Sequence, residues 1–331
     1  MSGIRALMVD KGMSAGINML PMGSYQLIQT DTELRALIAH LHATACRRLA
    51  VDVEGENNLH SYGIHVALIQ LYDGTQGYVV DALAIEDRSL LKELMEEPSW
   101  VKVWFDAAND LLSFQHALGI RPAPILDLAV AARLLGKTGG LGSLTDTGRS
   151  ASAKDRFQKA NWLRRPLSPA MLDYAISDVM PLLDLADSFM ADIEKAGKME
   201  EFRARNLAQQ SIERSWNPLA NFTRIPGYGG MRKPERRLAR ILWYAREYYG
   251  RWSNLPPGNV ASRQELRALV DKGTRDPRSI AELLNKGRQR NRIDPAAFAA
   301  RFQEAEREVD AEDATGSPGS RPARPPWTGD R

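Results

Sequence analysis

Between Tyr25 and Asp127 the chain alternates short runs of β-branched, aliphatic and aromatic residues with stretches whose apolar positions recur at helical spacing. That alternation restricts the fold to a layered α/β arrangement. YQLIQ (Tyr25–Gln29) reads as a strand, and Thr30 or Asp31 caps a helix carrying Leu34, Leu37, Ile38 and Leu41 on one face. RLAVDVEG, HVALIQLYD and GYVVDAL follow as three strands whose short connections suit an antiparallel meander. Ile85–Met95 has helical character, VKVWF is a further strand, and Asn109–Leu118 is helical again. Beyond Asp127 helical patterns dominate.

Composition narrows the class. With 331 residues, 44% hydrophobic and 26% charged, the chain has the balance of a soluble globular protein of two or three domains. The single cysteine, Cys46, excludes an intramolecular disulfide or a clustered-thiolate zinc site and suits a reducing compartment. Five histidines without an HExxH pairing argue against a zinc hydrolase. The uncharged stretch Gly12–Thr30 is interrupted by Gly16, Asn18, Pro21 and Gly23, so it cannot supply the ~20 apolar residues of a membrane span. A soluble, cytoplasmic protein without membrane contact is the expectation, and its oligomeric state is open.

The net charge of +3 conceals a division. Residues 1–200 carry 19 basic and 25 acidic side chains, whereas residues 201–308 carry 22 basic and 12 acidic ones. The basic half is a candidate polyanion surface, because Lys and Arg that neutralise phosphates release condensed counterions; the bland alternative is a solvated arginine-rich helical surface. GKTGGLGS (Gly136–Ser143) fails as a phosphate-binding loop, since Ala131 stands where its first glycine would be, and reads as an ordinary loop. Arg214–Gly230, rich in turn formers, marks a boundary. From Glu235 a long amphipathic helix places Leu238, Ile241, Leu242, Ala245, Tyr248, Tyr249 and Trp252 on one stripe, and Arg263–Leu269 and Ser279–Leu284 are further helical stretches. The expected organisation is an extension over 1–24, an α/β domain over 25–200, a connecting helix or linker over 201–215, a helical domain over 216–308 and a disordered tail over 309–331.

The carboxylates carry the chemistry. Asp52 and Glu54 leave the same face of the apolar strand LAVDVEG, about 6–7 Å apart. Two acidic groups on a core-facing strand are costly unless neutralised, and a divalent cation, which takes oxygen ligands, is one neutraliser; a strand end open to water is the other explanation. Asp110 opens the helix after VKVWF, where it can also serve as a cap. Tyr174 and Asp178 are four apart on a helix, with an offset of about 40° and a rise of about 6 Å.

This order, Asp-x-Glu on a strand, Asp in FDAANDL, then Tyr-x-x-x-Asp on a helix, resembles the tyrosine-bearing branch of the DEDD 3′-to-5′ exonuclease superfamily. More closely, VDVEGENNLHSYGIHVALIQL, VWFDAANDLLSF and the run Gln158–Ser168 leading into the third motif are similar to the ribonuclease D family over roughly residues 25–195. PGYGGMRKPERRLARILWYAREYYGRWSNLPPGNV resembles the helicase-and-ribonuclease-D C-terminal (HRDC) domain. The resemblance implies a ribonuclease H-like mixed β-sheet flanked by helices, followed by a small all-α HRDC-like domain. It implies that Asp52, Glu54, Asp110 and Asp178 gather two Mg²⁺ or Mn²⁺ ions, with Tyr174 orienting the attacking water, so that RNA 3′ ends, of tRNA precursors or other stable RNAs, are trimmed to nucleoside 5′-monophosphates. Phe105 stands where the family usually has His, and Asn161 where it has Asp. Bases of a single-stranded end stack on exposed aromatics, for which His60 and Tyr62 are candidates; Gln70 and Asn109 complete the expected substrate-binding set. A DNA 3′-5′ exonuclease, or a non-catalytic RNA-binding protein that kept the fold, are the alternatives.

Overall fold

The computed structural model describes residues 25–145 and 157–316; the expected extension over 1–24 and the last part of the expected tail, 317–331, lie outside them. The chain divides into two compact units, one formed by Met1–Gly55 with His65–Arg214 and the other by Glu56–Ile64 with Ser215–Arg331.

The first unit is built on a six-stranded sheet, β1 (Tyr25–Ile28), β2 (Arg48–Asn57), β3 (Ile64–Tyr72), β4 (Gly77–Asp81), β5 (Val101–Trp104) and β6 (Ile125–Asp127), in the order β1-β4-β3-β2-β5-β6. β3 and β4 are antiparallel, joined by a turn in which Asp73 Oδ1 accepts from the Thr75 and Gln76 N–H groups. β1 runs parallel to β4, β5 parallel to β2 and β6 parallel to β5, so the sheet is mixed, as the family resemblance implies. One face packs on α1 (Asp31–Ala43), where Thr30 and Glu33 form a reciprocal capping box, and on α2 (Arg88–Glu96), with Trp100, Trp104 and Phe114 buried among them. β5 leads into α3 (Ala108–Ser113), which widens into a π turn over Phe114–Leu118. The other face carries α4 (Leu128–Leu134), α5 (Pro169–Val179) and α6 (Leu182–Lys195) around Trp162 and Phe189.

Of residues 201–215, expected as a connecting helix or linker, 201–214 belong to this unit. α7 (Met199–Ser211) buries Phe202 and Asn206, and the Asn206 amide donates to the Ile125 carbonyl at 2.7 Å while its oxygen accepts from the Asp127 N–H at 2.9 Å. A buried amide that completes the edge of a sheet has a packing role that a linker lacks.

The second unit is helical: α8 (Lys233–Ser253), α9 (Arg263–Lys272), α10 (Pro277–Asn285) and α11 (Pro295–Thr315). α11 went unread in the sequence, and it continues past the expected boundary at 308 because Val309 and Glu312 are buried. Glu312 accepts from Arg240 at 2.8 Å and from the Tyr244 hydroxyl at 2.8 Å, so the start of the expected tail is tied into the core. α8 is the long helix expected, but its buried side includes Arg240, Arg246 and Glu247, whereas Trp252 is 53% exposed and not part of the stripe. Arg246 lies 3.6 Å from the Trp243 ring centre and donates to Glu247 at 2.6 Å, which lets two charges be buried together. Among the described residues no helix is long and apolar enough to cross a membrane.

Candidate active site

The site begins where β2 outruns its neighbour. β2 pairs with β5 from Arg48↔Val101 to Ala50↔Val103, and Asp52 and Glu54 follow, beyond the pairing, near the carboxyl ends of the parallel strands. Open α/β sheets present functional groups in that position because the chain turns away there and leaves a crevice. Gly55 is required by close approach: a Cβ there would lie 2.2 Å from the His65 carbonyl oxygen, so the β3 backbone sits directly against the strand that carries both carboxylates.

α5 supplies the third acid. Ser168 caps it, accepting from the Met171 N–H at 3.3 Å, Pro169 occupies its first turn, and Leu172, Ala175, Ile176 and Val179 are buried. Asp178 therefore flanks the buried stripe, and oxygens of Asp52, Glu54 and Asp178 lie within 4.8 Å of one another, each residue half-buried. Tyr174, one turn earlier, sets its ring 4.8 Å from Phe157 and 6.4 Å from Trp162, centre to centre.

Asp110 enters from α3. Burial, then the charges of Asp106 and Asp127, push its carboxyl up to about 7. Asp52 is held well above the ordinary carboxylate range by burial and by the charges of Asp110, Asp178 and Glu54. Like charges this close cannot all remain ionised without protons or cations to offset them. The donor set is all carboxylate oxygen and half-buried, which fits a hard divalent cation such as Mg²⁺ or Mn²⁺ and offers nothing to a thiophilic metal.

The expected substrate-binding residues fare differently. Asn109 is exposed on α3, next to Asp110. Tyr62 is not the exposed platform expected: it is 5% exposed, its ring lies 5.8 Å from that of Trp216, its N–H donates to Asn254 Oδ1 at 3.2 Å and its hydroxyl bonds Glu247. The His60 ring is partly open to solvent but paired with Glu56, whose carboxylate also accepts from the His60 N–H at 2.7 Å. Gln70 is completely buried in register with Val79, which rules out direct contact with a substrate. Phe105 packs against the core, and Asn161 Oδ1 accepts from the Leu163 N–H at 3.1 Å, so both departures from the family pattern have local structural roles. Two residues were missed. Arg165 clamps Asp81 with its Nε at 2.6 Å and Nη2 at 2.5 Å, just ahead of α5, and Asp127 sits buried at the junction of β6 and α4. The only sequence signal for Asp127 was an acid ending an apolar run before a helix, the position of a cap.

Residues 25–194 match a family model described as a 3′-5′ exonuclease. The chain is 28% identical over 207 residues to ribonuclease D of Escherichia coli K12, covering 60% of this chain and 54% of that protein. It is 31% identical over 269 residues to ribonuclease D of Xanthomonas oryzae pv. oryzae, covering 75% of this chain and 72% of that one. The match thus spans about half the length of the Escherichia coli relative. Among solved structures, that of Escherichia coli RNase D, an exoribonuclease involved in structured RNA processing, shares the fold with a TM-score of 0.65 and 23% identity over 91% of this chain and 78% of that one.

Proposed function

Because this chain belongs to the 3′-5′ exonuclease family, and within it to the ribonuclease D proteins, we propose that it is a metal-dependent 3′-5′ exoribonuclease. The observation that carries this reading is the convergence of Asp52, Glu54 and Asp178 within 4.8 Å, with the charge of Asp110 felt at Asp52. These four would hold Mg²⁺ or Mn²⁺. Bound cations supply a water of lowered pKa and offset charge on the departing 3′ oxygen. Tyr174 shares a helix with Asp178, and its phenol, ordinarily titrating near ~10, suits orienting a water better than taking its proton. Asn109, exposed beside Asp110, contacts the terminal nucleotide. The products are nucleoside 5′-monophosphates released singly.

The helical unit, which resembles an HRDC domain, serves in this reading as the RNA-binding module; stable RNA precursors such as those of tRNA are the substrate class. The test is a time course on 3′-labelled single-stranded RNA and on matched DNA, in Mg²⁺ or Mn²⁺ and with EDTA. RNA shortening from its 3′ end, abolished by EDTA, is expected, and a faster rate on DNA would turn the reading toward a DNA exonuclease. Asp52→Ala and Asp178→Asn are each expected to lower kcat by at least about a hundredfold while the far-ultraviolet spectrum is unchanged. Full activity in either variant would overturn the metal-site assignment.

A further inference from the structure

The strongest polar arrangement outside the four acids is centred on Asp127, and it is aimed at the helix that carries one of them. Asp127 is 1% exposed and ends β6, in register with Trp104 at the end of β5. Its Oδ1 accepts from the Ala129 N–H at 2.9 Å, the ordinary bond of a residue capping α4. The same oxygen accepts from the Asp106 N–H at 2.9 Å, and Oδ2 accepts from the Ala107 N–H at 3.3 Å and from Gln209 Nε2 at 3.3 Å.

The second pair of bonds reaches across to a different helix. α3, whose first turn contains Asp110, has Ala107 at its cap position and no side-chain cap of its own. Asp106, immediately before, sits at φ 62°, in the left-handed region that non-glycine residues adopt only when something holds them there. What holds it is the Asp127 carboxylate, which takes the N–H groups of both turn residues. One buried side chain therefore fixes two strand-to-helix turns, and the α3 turn determines where Asp110 begins. Asn206 and Gln209 of α7 complete the cage, the former on the Asp127 N–H and the latter on its carboxylate.

We propose that Asp127 is a positioning residue for the metal centre: its carboxylate caps α4 and, in the same geometry, clamps the Asp106–Ala107 turn so that Asp110 meets Asp52, Glu54 and Asp178. The inference rests on the reading of Asp110 as a metal ligand. A carboxylate that orients a ligand-bearing element without touching the metal typically accounts for about ten- to a hundredfold in metal affinity.

The experiment is Mn²⁺ titration of the full-length protein by calorimetry, with kcat and KM on a 3′-labelled RNA, in four proteins. Asp127→Asn keeps shape and volume but replaces one acceptor oxygen with an NH₂ that faces the Ala107 N–H. Asp127→Ser can still cap α4 but is too short to reach the turn. Asp110→Asn tests the underlying reading, and the unaltered chain is the reference. Both Asp127 variants are expected to bind Mn²⁺ about ten- to a hundredfold more weakly and to lose kcat in parallel, with KM unchanged, at temperatures where circular dichroism shows them folded. A residue with only a capping role would leave Mn²⁺ affinity and kcat intact in both Asp127 variants, since Asn and Ser also cap, and that result overturns the proposal. Failure of Asp127→Asn to fold also overturns it, by placing the residue in the folding core. If Asp110→Asn itself binds Mn²⁺ normally, the reading of Asp110 as a ligand has failed; weak binding there with normal binding in the Asp127 variants fails the positioning role alone.

Discussion

Asp110 titrates far from where an unfolded aspartate would, and the difference sets how the site responds to pH. Its folded carboxyl is pushed up to about 7, first by burial, whereas an unstructured one titrates near ~4. Between those values the folded chain holds a proton that the unfolded chain has released. The stability this confers is complete below ~4 and is lost as the pH rises through about 7. Asp52 shifts in the same direction and adds to the effect. Divalent cations bind the ionised carboxylates, so protons compete with them and the competition at Asp110 weakens as the pH rises through about 7. Mn²⁺ is therefore expected to raise the melting temperature more at pH 8 than at pH 5, as read by thermal scans with and without the metal. Equal shifts at both pH values would show that these carboxylates are not the metal's ligands. At this scale the acids were legible in sequence because a charge within an apolar strand or on a buried helix flank demands a partner. Tyr62 was not: an aromatic just past a strand end looks the same whether it meets solvent or, as here, Asn254, 192 positions away. Gln70 misled for a related reason, since its position inside a motif carried no information on its depth.

At the scale of elements, the segment ahead of α5 is fixed by a bidentate ion pair. Arg165 donates through Nε and Nη2 to the two oxygens of Asp81, which is 2% exposed at the end of β4, and also to the Trp162 carbonyl at 2.7 Å. A planar guanidinium matches a carboxylate in a way an ammonium cannot. Arg165→Ala strands a buried charge and is expected to destabilise the unit by about 3–5 kcal/mol, whereas Arg165→Lys, which keeps the charge but not the fork, should cost less. Urea unfolding followed by tryptophan fluorescence checks both; a loss below about 1 kcal/mol for Arg165→Ala would show that the pair does not anchor the segment. The strands and α1 were readable because periodicity and capping signals agree locally, as at Thr30 and Glu33. α11 was missed although Phe298, Phe302, Ala305 and Val309 recur at helical spacing. Its dense charge resembles the composition of a tail, and what makes it a helix is a core contributed mainly by α8, which no local window contains.

Over the whole molecule, the acidic and basic halves of the sequence fall into the two units that the fold separates. Removing residues 215–331 would not test the basic half cleanly, because Glu56–Ile64 belongs to the same compact unit and Tyr62 would lose the groups that bury it. A point test is available in the loop between α10 and α11. Asn285 closes that loop by exchanging hydrogen bonds with the backbone of Ile293, both at 2.7 Å, and Arg288 is drawn inward by the Asn259 carbonyl and Glu265. Lys286, Arg290 and Arg292 are left exposed on a closed loop, and none forms an ion pair among the described residues. Cations held on an ordered loop gain phosphate contacts at less entropic cost than those on a free chain. If the helical unit binds RNA, replacing all three by Ala should weaken the affinity for single-stranded RNA and flatten the slope of log affinity against log salt by about 0.7 per lost phosphate contact, roughly 2 in total. Fluorescence anisotropy across a salt series reads both quantities. An unchanged slope would remove this loop from the RNA surface, while kcat is expected to stay unchanged either way because none of the three lies in the unit that carries the acids.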